Sequence, residues 1–347
     1  MMEAKYDKLL LIGPTIGSVH VENYYNLIKS NFSEVLIIGN RKVDYVNSHE
    51  VNFSLKNPIK LRKSIAKVRK IIADFKPTVI HVHQANSVAY IALKANQGKV
   101  PVVVTCWGSD VLLTPHKGLI YKKVAQYALS KANYLTVDAD YMDEAIKKIG
   151  VKTKVINANF GIHYDGIEIP EKKQIIYSNR LHKPLYNIDK IILGFNEFYK
   201  ENPNWKLVIG ASGTETDKLK ALAKETLPEN SFEFIGFVSQ EMNQDYYLKS
   251  QIYVSIPHSD GTAISLLEAM GYGCVPVVSN LEANKEWISS EENGVIVESS
   301  LAEGLKKAIN MDLKSVQDSN IEIIKKKATK EVNREKFMSV YKELLND

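Results

Sequence analysis

Gln251–Ile288 reads QIYVSIPHSDGTAISLLEAMGYGCVPVVSNLEANKEWI. Ile252 to Ile256 is a short apolar run of strand type, broken at Pro257. His258, Ser259, Asp260, Gly261 and Thr262 form a polar turn, and from Ala263 the spacing predicts a helix. Ile264, Leu267 and Met270 fall on one face of that helix, which ends at Gly271 or Gly273. A second strand follows at Val275 to Ser279. Strand, tight loop, helix, strand is a parallel crossover unit, with its loop at the carboxyl end of the first strand. Small residues there expose backbone N–H groups at a helix N-terminus, where partial positive charge favours an anion such as phosphate. Asp260 lies in the loop, and Glu268 lies about two turns down the helix.

The order acid, Gly, small residues, apolar run, Leu-Glu-Ala-Met, Gly, Pro-Val-Val resembles the donor-site signature of retaining GT-B glycosyltransferases of the glycogen-synthase-like class, glycosyltransferase family 4. The resemblance implies a hexosyltransferase with two Rossmann-like, doubly wound parallel-sheet domains facing across a cleft. It implies a UDP- or GDP-sugar donor as substrate and neither a cofactor nor a metal ion. Glu268 matches the ribose-binding Glu, and Asp260 stands where the usual residue is Glu, one methylene longer. The donor diphosphate would lie between them, near Gly261, Thr262 and Ala263, with the hexose toward Asp260. Two acids at this spacing alone would favour a solvated crossover helix; the flanking strands and glycine loop turn the reading to a donor site.

Upstream, Gln174 to Ser178 is a strand followed by Asn179-Arg180-Leu181-His182-Lys183-Pro184. The family places an Arg and a Lys after this strand as a diphosphate clamp. Arg180 matches; the usual Lys position holds Leu185, and Lys183 is the nearest substitute. A basic pair suits a phosphate but also occurs in plain surface loops. Alternating helices and strands fill Ile188 to Ser250, and Asn157 to Lys173 reads as a linker rich in turn residues. The expected division is residues 1–162, a linker 163–173, a donor domain 174–312, and C-terminal helices over 313–347. In GT-B folds the last of these returns to the first domain.

The first half opens with an apolar run, Lys8 to Ile12, entering Gly13-Pro14-Thr15-Ile16-Gly17-Ser18. Without GxGxxG and a following acid this is a weak phosphate signal, and it argues against a dinucleotide oxidoreductase. Relatives carry two adjacent glycines here; Ile16 replaces the first, so Gly17 alone is carried over as a donor contact. His81 and His83, two apart on a strand, share a face and read as a pair at the cleft rather than a zinc site. After the strand Val102 to Thr105, relatives show a sugar-contacting His where Trp107 stands and an Asp where Asp110 stands. The resemblance therefore gives Asp110 a catalytic, sugar-lining role with Arg180, Lys183 and Asp260, and leaves Trp107 as a wall; Asp110 also suits a helix cap. Asp138-Ala139-Asp140 looks like the metal motif of the other glycosyltransferase architecture but reads as a cap for the helix Tyr141 to Ile149.

The helix predicted between Asn57 and Pro77 sets Leu61, Ile65, Val68 and Ile72 on one stripe and Lys60, Lys63, Lys67 and Lys70 on another. The lysine stripe reads as a solvated face or as a contact for an anionic membrane. Residues 1–165 carry 23 Lys and Arg against 13 Asp and Glu, whereas the rest carries 22 against 27. A basic half joined to an acidic half points to one domain meeting an anionic surface. No apolar run reaches the ~18 residues a spanning helix needs. The N-terminus enters a strand directly and does not read as a signal peptide, and two lone cysteines, Cys106 and Cys274, fit a reducing compartment. The expectation is a cytoplasmic protein, peripheral on the inner membrane face, with a glycan or lipid-linked acceptor in bacterial surface-polysaccharide synthesis and no nucleic-acid partner. A nucleotide-sugar epimerase of the same architecture and a non-catalytic GT-B scaffold are the alternatives.

Overall fold

The structure is a computed structural model that describes residues 6–16 and 20–345. It divides into two compact units. One holds the described residues up to Phe160 and those from Lys330 on, and the other is Gly161–Thr329.

The first unit runs β1 (Tyr6–Ile12), α1 (His20–Ile28), β2 (Phe32–Gly39), β3 (Ser48–Glu50), α2 (Pro58–Phe75), β4 (Val79–His83), α3 (Ser87–Asn96), β5 (Val102–Thr105), α4 (Ser109–Leu112), α5 (Leu119–Lys131), β6 (Tyr134–Val137), α6 (Tyr141–Lys148) and β7 (Val155–Asn157). Its seven strands are parallel in the order β3-β2-β1-β4-β5-β6-β7. The second unit runs β8 (Lys173–Ser178), α7 (Ile188–Tyr199), β9 (Lys206–Gly210), α8 (Thr216–Thr226), β10 (Phe232–Gly236), α9 (Gln240–Lys249), β11 (Ser250–Ser255), α10 (Ile264–Gly271), β12 (Val275–Ser279), α11 (Glu282–Lys285), β13 (Val295–Val297), α12 (Leu301–Ile309) and α13 (Leu313–Lys327). Its six strands are parallel in the order β10-β9-β8-β11-β12-β13. The last helix, α14 (Lys330–Leu345), packs in the first unit.

Both sheets are doubly wound and share one topology. Strand order reverses between β1 and β4 in one, and between β8 and β11 in the other, so the loops after those strands diverge and leave a crevice. Burial on both faces explains why these strands are near-continuous apolar runs. In the second unit successive residues alternate between two cores. Ile176, Ile252 and Val254 pack in one with α7, α8 and α12, and Tyr177 and Tyr253 pack in the other with α9 and α10.

The expected linker, residues 163–173, is tied down near its end, where Lys172 Nζ donates to the Tyr247 and Tyr272 carbonyls at 2.8 and 2.6 Å, and just before it Ile162 N–H donates to the Ala328 carbonyl at 2.8 Å. The C-terminal stretch forms two helices, α13 in the second unit and α14 in the first. α13 is held to the second by Val316 and Ile324 in its cores and by Asn320, whose side chain bonds Asn293. The Asp140 side chain makes no cap hydrogen bond to α6. Asp140 stands at the cap position of α6 with helical backbone, and its carboxylate accepts from Asn157 Nδ2 at 2.9 Å. Asn57, by contrast, caps α2 through Ile59 and Lys60 N–H, both at 3.0 Å.

Candidate functional site

β8 and β11 are neighbours at the switch point of the second sheet, and the loops leaving their carboxyl ends are tied together. His258 N–H donates to the Leu185 carbonyl at 3.1 Å, and Asn187 Nδ2 donates to the Ile256 carbonyl at 2.8 Å. The loop after β9 closes on the same region through His182, which is buried between Thr216 Oγ1 and the Gly210 carbonyl. A Cβ at Gly213 would overlap the His182 carbonyl, so only glycine lets these loops approach.

This scaffold brings Arg180 and Asp260 into direct contact. Arg180 Nη2 donates to Asp260 Oδ2 at 2.6 Å and Nη1 to Ser265 Oγ at 3.1 Å, while the guanidinium lies over the Tyr186 ring at 4.5 Å. The two side chains are 11% and 23% exposed, so the pair is only weakly screened. Burial opposes the Arg180 charge, but the Asp260 carboxylate, with Tyr253 and Tyr186 adding to it, outweighs burial and holds the guanidinium above its ordinary range. Asp260 Oδ1 also accepts from Gly261 N–H at 3.1 Å, which turns the loop toward α10.

α10 begins at Ile264 with Ala263, whose side chain makes no cap bond, in the cap position. Thr262, which could have capped, is instead buried and accepts from Trp287 Nε1 at 3.0 Å. The loop is therefore pinned in place while the amides at the helix start keep their dipole end for an anion. Glu268 is half-buried two turns along, where it accepts from Tyr247 Oη at 3.0 Å. Lys183 is exposed on the loop after β8.

Sequence reasoning missed the polar scaffold beneath these groups. Asn179 Nδ2 reaches Tyr247 Oη at 2.7 Å and Asn243 Oδ1 at 2.8 Å, and Tyr177 Oη also donates to Asn243, at 2.6 Å. Tyr253 Oη donates to Asn179 Oδ1 at 3.1 Å and meets Ser265 Oγ at 2.8 Å. A continuous bonded path thus joins Arg180 to Glu268 through Ser265, Tyr253, Asn179 and Tyr247. Burial raises the Tyr247 phenol well above its ordinary pKa, with the Glu268 charge adding to it, so it stays protonated and donates. Buried tyrosines whose hydroxyls need partners were the available signal.

In the first unit Asp110 is 3% exposed, and its carboxylate faces inward. Oδ2 accepts from Ala85 N–H at 2.7 Å and Oδ1 from Trp107 N–H at 2.9 Å, stapling the loop after β4 to the loop after β5. Burial pushes its pKa up to about 6, against the pull of those amides. Gly108 occupies the α4 cap position, so Asp110 does not cap. His81 and His83 do share a strand face, with rings stacked at 5.1 Å, but both are fully buried rather than lining an opening. His81 bonds Tyr24, Tyr341 and Thr105, and His83 Nδ1 accepts from Trp107 Nε1 at 3.1 Å. Burial lowers both histidine pKa values, to about 3 for His81. Gly17 lies outside the described residues. Among the described residues no group of three or more His, Cys, Asp or Glu is arranged to hold a metal.

Two family models match this chain: Glycosyl transferases group 1 over residues 165–330, and Glycosyl transferase 4-like over residues 8–139. The chain belongs to the group 1 glycosyl transferases. Among curated relatives of this glycosyltransferase, a putative teichuronic acid biosynthesis glycosyltransferase, TuaC of Bacillus subtilis, is 25% identical over 68% of the chain and 61% of the relative. The chain spans between 20% and 61% of the length of these curated relatives. The fold is GT-B. A glycosyltransferase from Rickettsia africae superposes with TM-score 0.80 at 16% identity, covering 99% of this chain and 100% of that one. Anabaena HepE, solved with UDP and glucose, superposes with TM-score 0.78 at 13% identity over 96% and 98%. Among the described residues no helix is long and apolar enough to cross a membrane.

Proposed function

We propose that this group 1 glycosyltransferase moves a sugar from a UDP- or GDP-sugar to a glycan or lipid-linked acceptor, retaining anomeric configuration, in surface-polysaccharide assembly. The observation that carries the proposal is the convergence of Arg180, the start of α10 and Glu268 at the switch point of the second sheet. Glycosyl transfer builds negative charge on the departing diphosphate. Fixed cations and amide dipoles aimed at that charge stabilise it without reorganising. Arg180 has five N–H donors, and the Asp260 and Ser265 contacts use two. The rest can take a diphosphate while Asp260 keeps the guanidinium in place.

The amides of Gly261 to Ala263 and the start of α10 complete the cradle, and the exposed Lys183 adds a mobile charge. Glu268, steadied by Tyr247, takes the ribose hydroxyls, and Asp260 orients the hexose. Asp110 serves through the two loops it staples. This assignment needs no metal ion. Its support from known proteins is the UDP and glucose bound to HepE and the putative teichuronic acid biosynthesis in the name of TuaC. The lysine stripe of α2, with Lys60, Lys63, Lys67 and Lys70 all exposed, meets an anionic membrane.

A thermal-shift screen against UDP, GDP, ADP and CMP tests the reading, because a ligand selective for the folded state raises the melting temperature. UDP or GDP should stabilise the wild type, and Arg180→Ala should abolish the shift. No stabilisation by any of the four would remove the donor assignment.

A further inference from the structure

The stretch Val111–Val137 contains Lys117, Lys122, Lys123 and Lys131 and no Asp or Glu. Within it α5 opens on Leu119, Ile120 and Tyr121, which are 77%, 76% and 53% exposed. The helix buries Ala125, Ala128 and Leu129, so the opening triplet is no part of its packed face. One exposed leucine is ordinary; three consecutive large apolar residues at a helix start, flanked by exposed lysines, are not.

A second feature of the same kind stands on α2, separated from α5 by α3. Each helix begins near the carboxyl edge of the strand it follows, so the first turns of α2 and α5 lie at one edge of the sheet. α3 packs against both helices in a single layer. Ile59, in the first turn of α2, is 66% exposed and is followed by Lys60. That stretch is also free of acids, from Val51 to Ala73.

We propose that the first turn of α5 is a membrane-insertion element, with Leu119 and Ile120 entering the acyl boundary of an anionic bilayer and Tyr121 at the headgroup level. Apolar tips with an aromatic at the interface and lysines reaching back to phosphates are the composition such a surface selects. The absence of acids across the stretch matches an anionic partner. The inserted edge is the carboxyl edge of the sheet, where α/β folds bind ligands, so a lipid-borne acceptor would be met at the membrane surface. The inference deepens the membrane part of the proposed function and assigns insertion to α5 rather than to the α2 lysines alone.

The test is co-sedimentation of the full chain with phosphatidylcholine vesicles, with and without phosphatidylglycerol. Wild type should partition onto the anionic vesicles only. Leu119→Ser/Ile120→Ser should lower the partition at least about tenfold, and Lys122→Glu/Lys123→Glu at least about fivefold per lysine. Both should keep the wild-type melting curve and its shift with UDP or GDP, which separates failure here from failure of the donor assignment. Tyr121→Trp should show blue-shifted emission on anionic vesicles, a readout independent of the other variants. Undiminished binding by Leu119→Ser/Ile120→Ser, with loss in Lys63→Glu/Lys67→Glu, would overturn insertion by α5 and leave α2 as the contact. No binding to any vesicle, with self-association that the serine variant abolishes, would make the patch a protein contact and overturn the proposal.

Discussion

Asp260→Asn removes the carboxylate charge that Arg180 Nη2 meets at 2.6 Å and should act on stability and on nucleotide affinity in opposite directions. Breaking a fully buried ion pair costs about 3–5 kcal/mol. With 11% and 23% of the two side chains exposed, solvent screens part of this, and about 2 kcal/mol is expected. For a unit the size of Gly161–Thr329 that is a fall in melting temperature of roughly 4–8 °C. Affinity should rise, because a diphosphate sharing the guanidinium sits about 5 Å from the carboxylate and is repelled by about 3 kcal/mol at an effective dielectric of about 20. Looser anchoring of Arg180 takes back part of this, leaving tighter UDP or GDP binding by about tenfold, or about 1.4 kcal/mol. Transfer should still fall, since the hexose loses its partner. Calorimetric titration with UDP and GDP, differential scanning calorimetry and a donor-turnover assay read the three effects. A variant of unchanged stability that binds nucleotide no more tightly would refute the idea that Asp260 and a diphosphate share one cation.

Other substitutions probe the remaining parts. Tyr247→Phe should leave Glu268 and Asn179 without a shared partner, costing about 1–2 kcal/mol of stability and weakening UDP or GDP binding severalfold in titration calorimetry. Gly213→Ala should destabilise by about 1–3 kcal/mol in denaturant unfolding, because its Cβ meets the fixed His182 carbonyl rather than a movable side chain. Asp110 has its folded pKa raised to about 6 by burial, above the ordinary carboxyl value of about 3.9. Its contribution is therefore fully present below about pH 4 and is lost as pH rises through about 6. Across that window the wild type should lose on the order of 2 kcal/mol relative to Asp110→Asn, measured by parallel urea titrations; a constant difference would show that Asp110 does not titrate there.

The crossover units were legible because each strand is an apolar run closed by turn residues, and β12 falls where the pattern sets it, Val275–Ser279. The role of Tyr253 was hidden for the same reason: inside an apolar run it reads as filler. Its hydroxyl acquires meaning only when β8 and β11 pair and set it beside Asn179 and Ser265. The break between α13 and α14 carries no proline or glycine. It is fixed by pairing of Ile162 with Ala328 and Thr329, more than 160 residues away in sequence. Asp110 looked available because sequence shows a carboxylate after a strand. One of the amides that claim it, Ala85, comes from a loop 25 residues upstream. The direct Arg180–Asp260 pair was equally out of reach, since the motif assigns each residue a ligand and not each other.

The most direct test of the account is a crystal structure of the protein soaked with UDP or GDP. The account predicts the diphosphate within hydrogen-bond reach of Arg180 and the first amides of α10, with the ribose hydroxyls on Glu268. A diphosphate bound elsewhere, with the Arg180–Asp260 pair undisturbed and no ribose at Glu268, would contradict it.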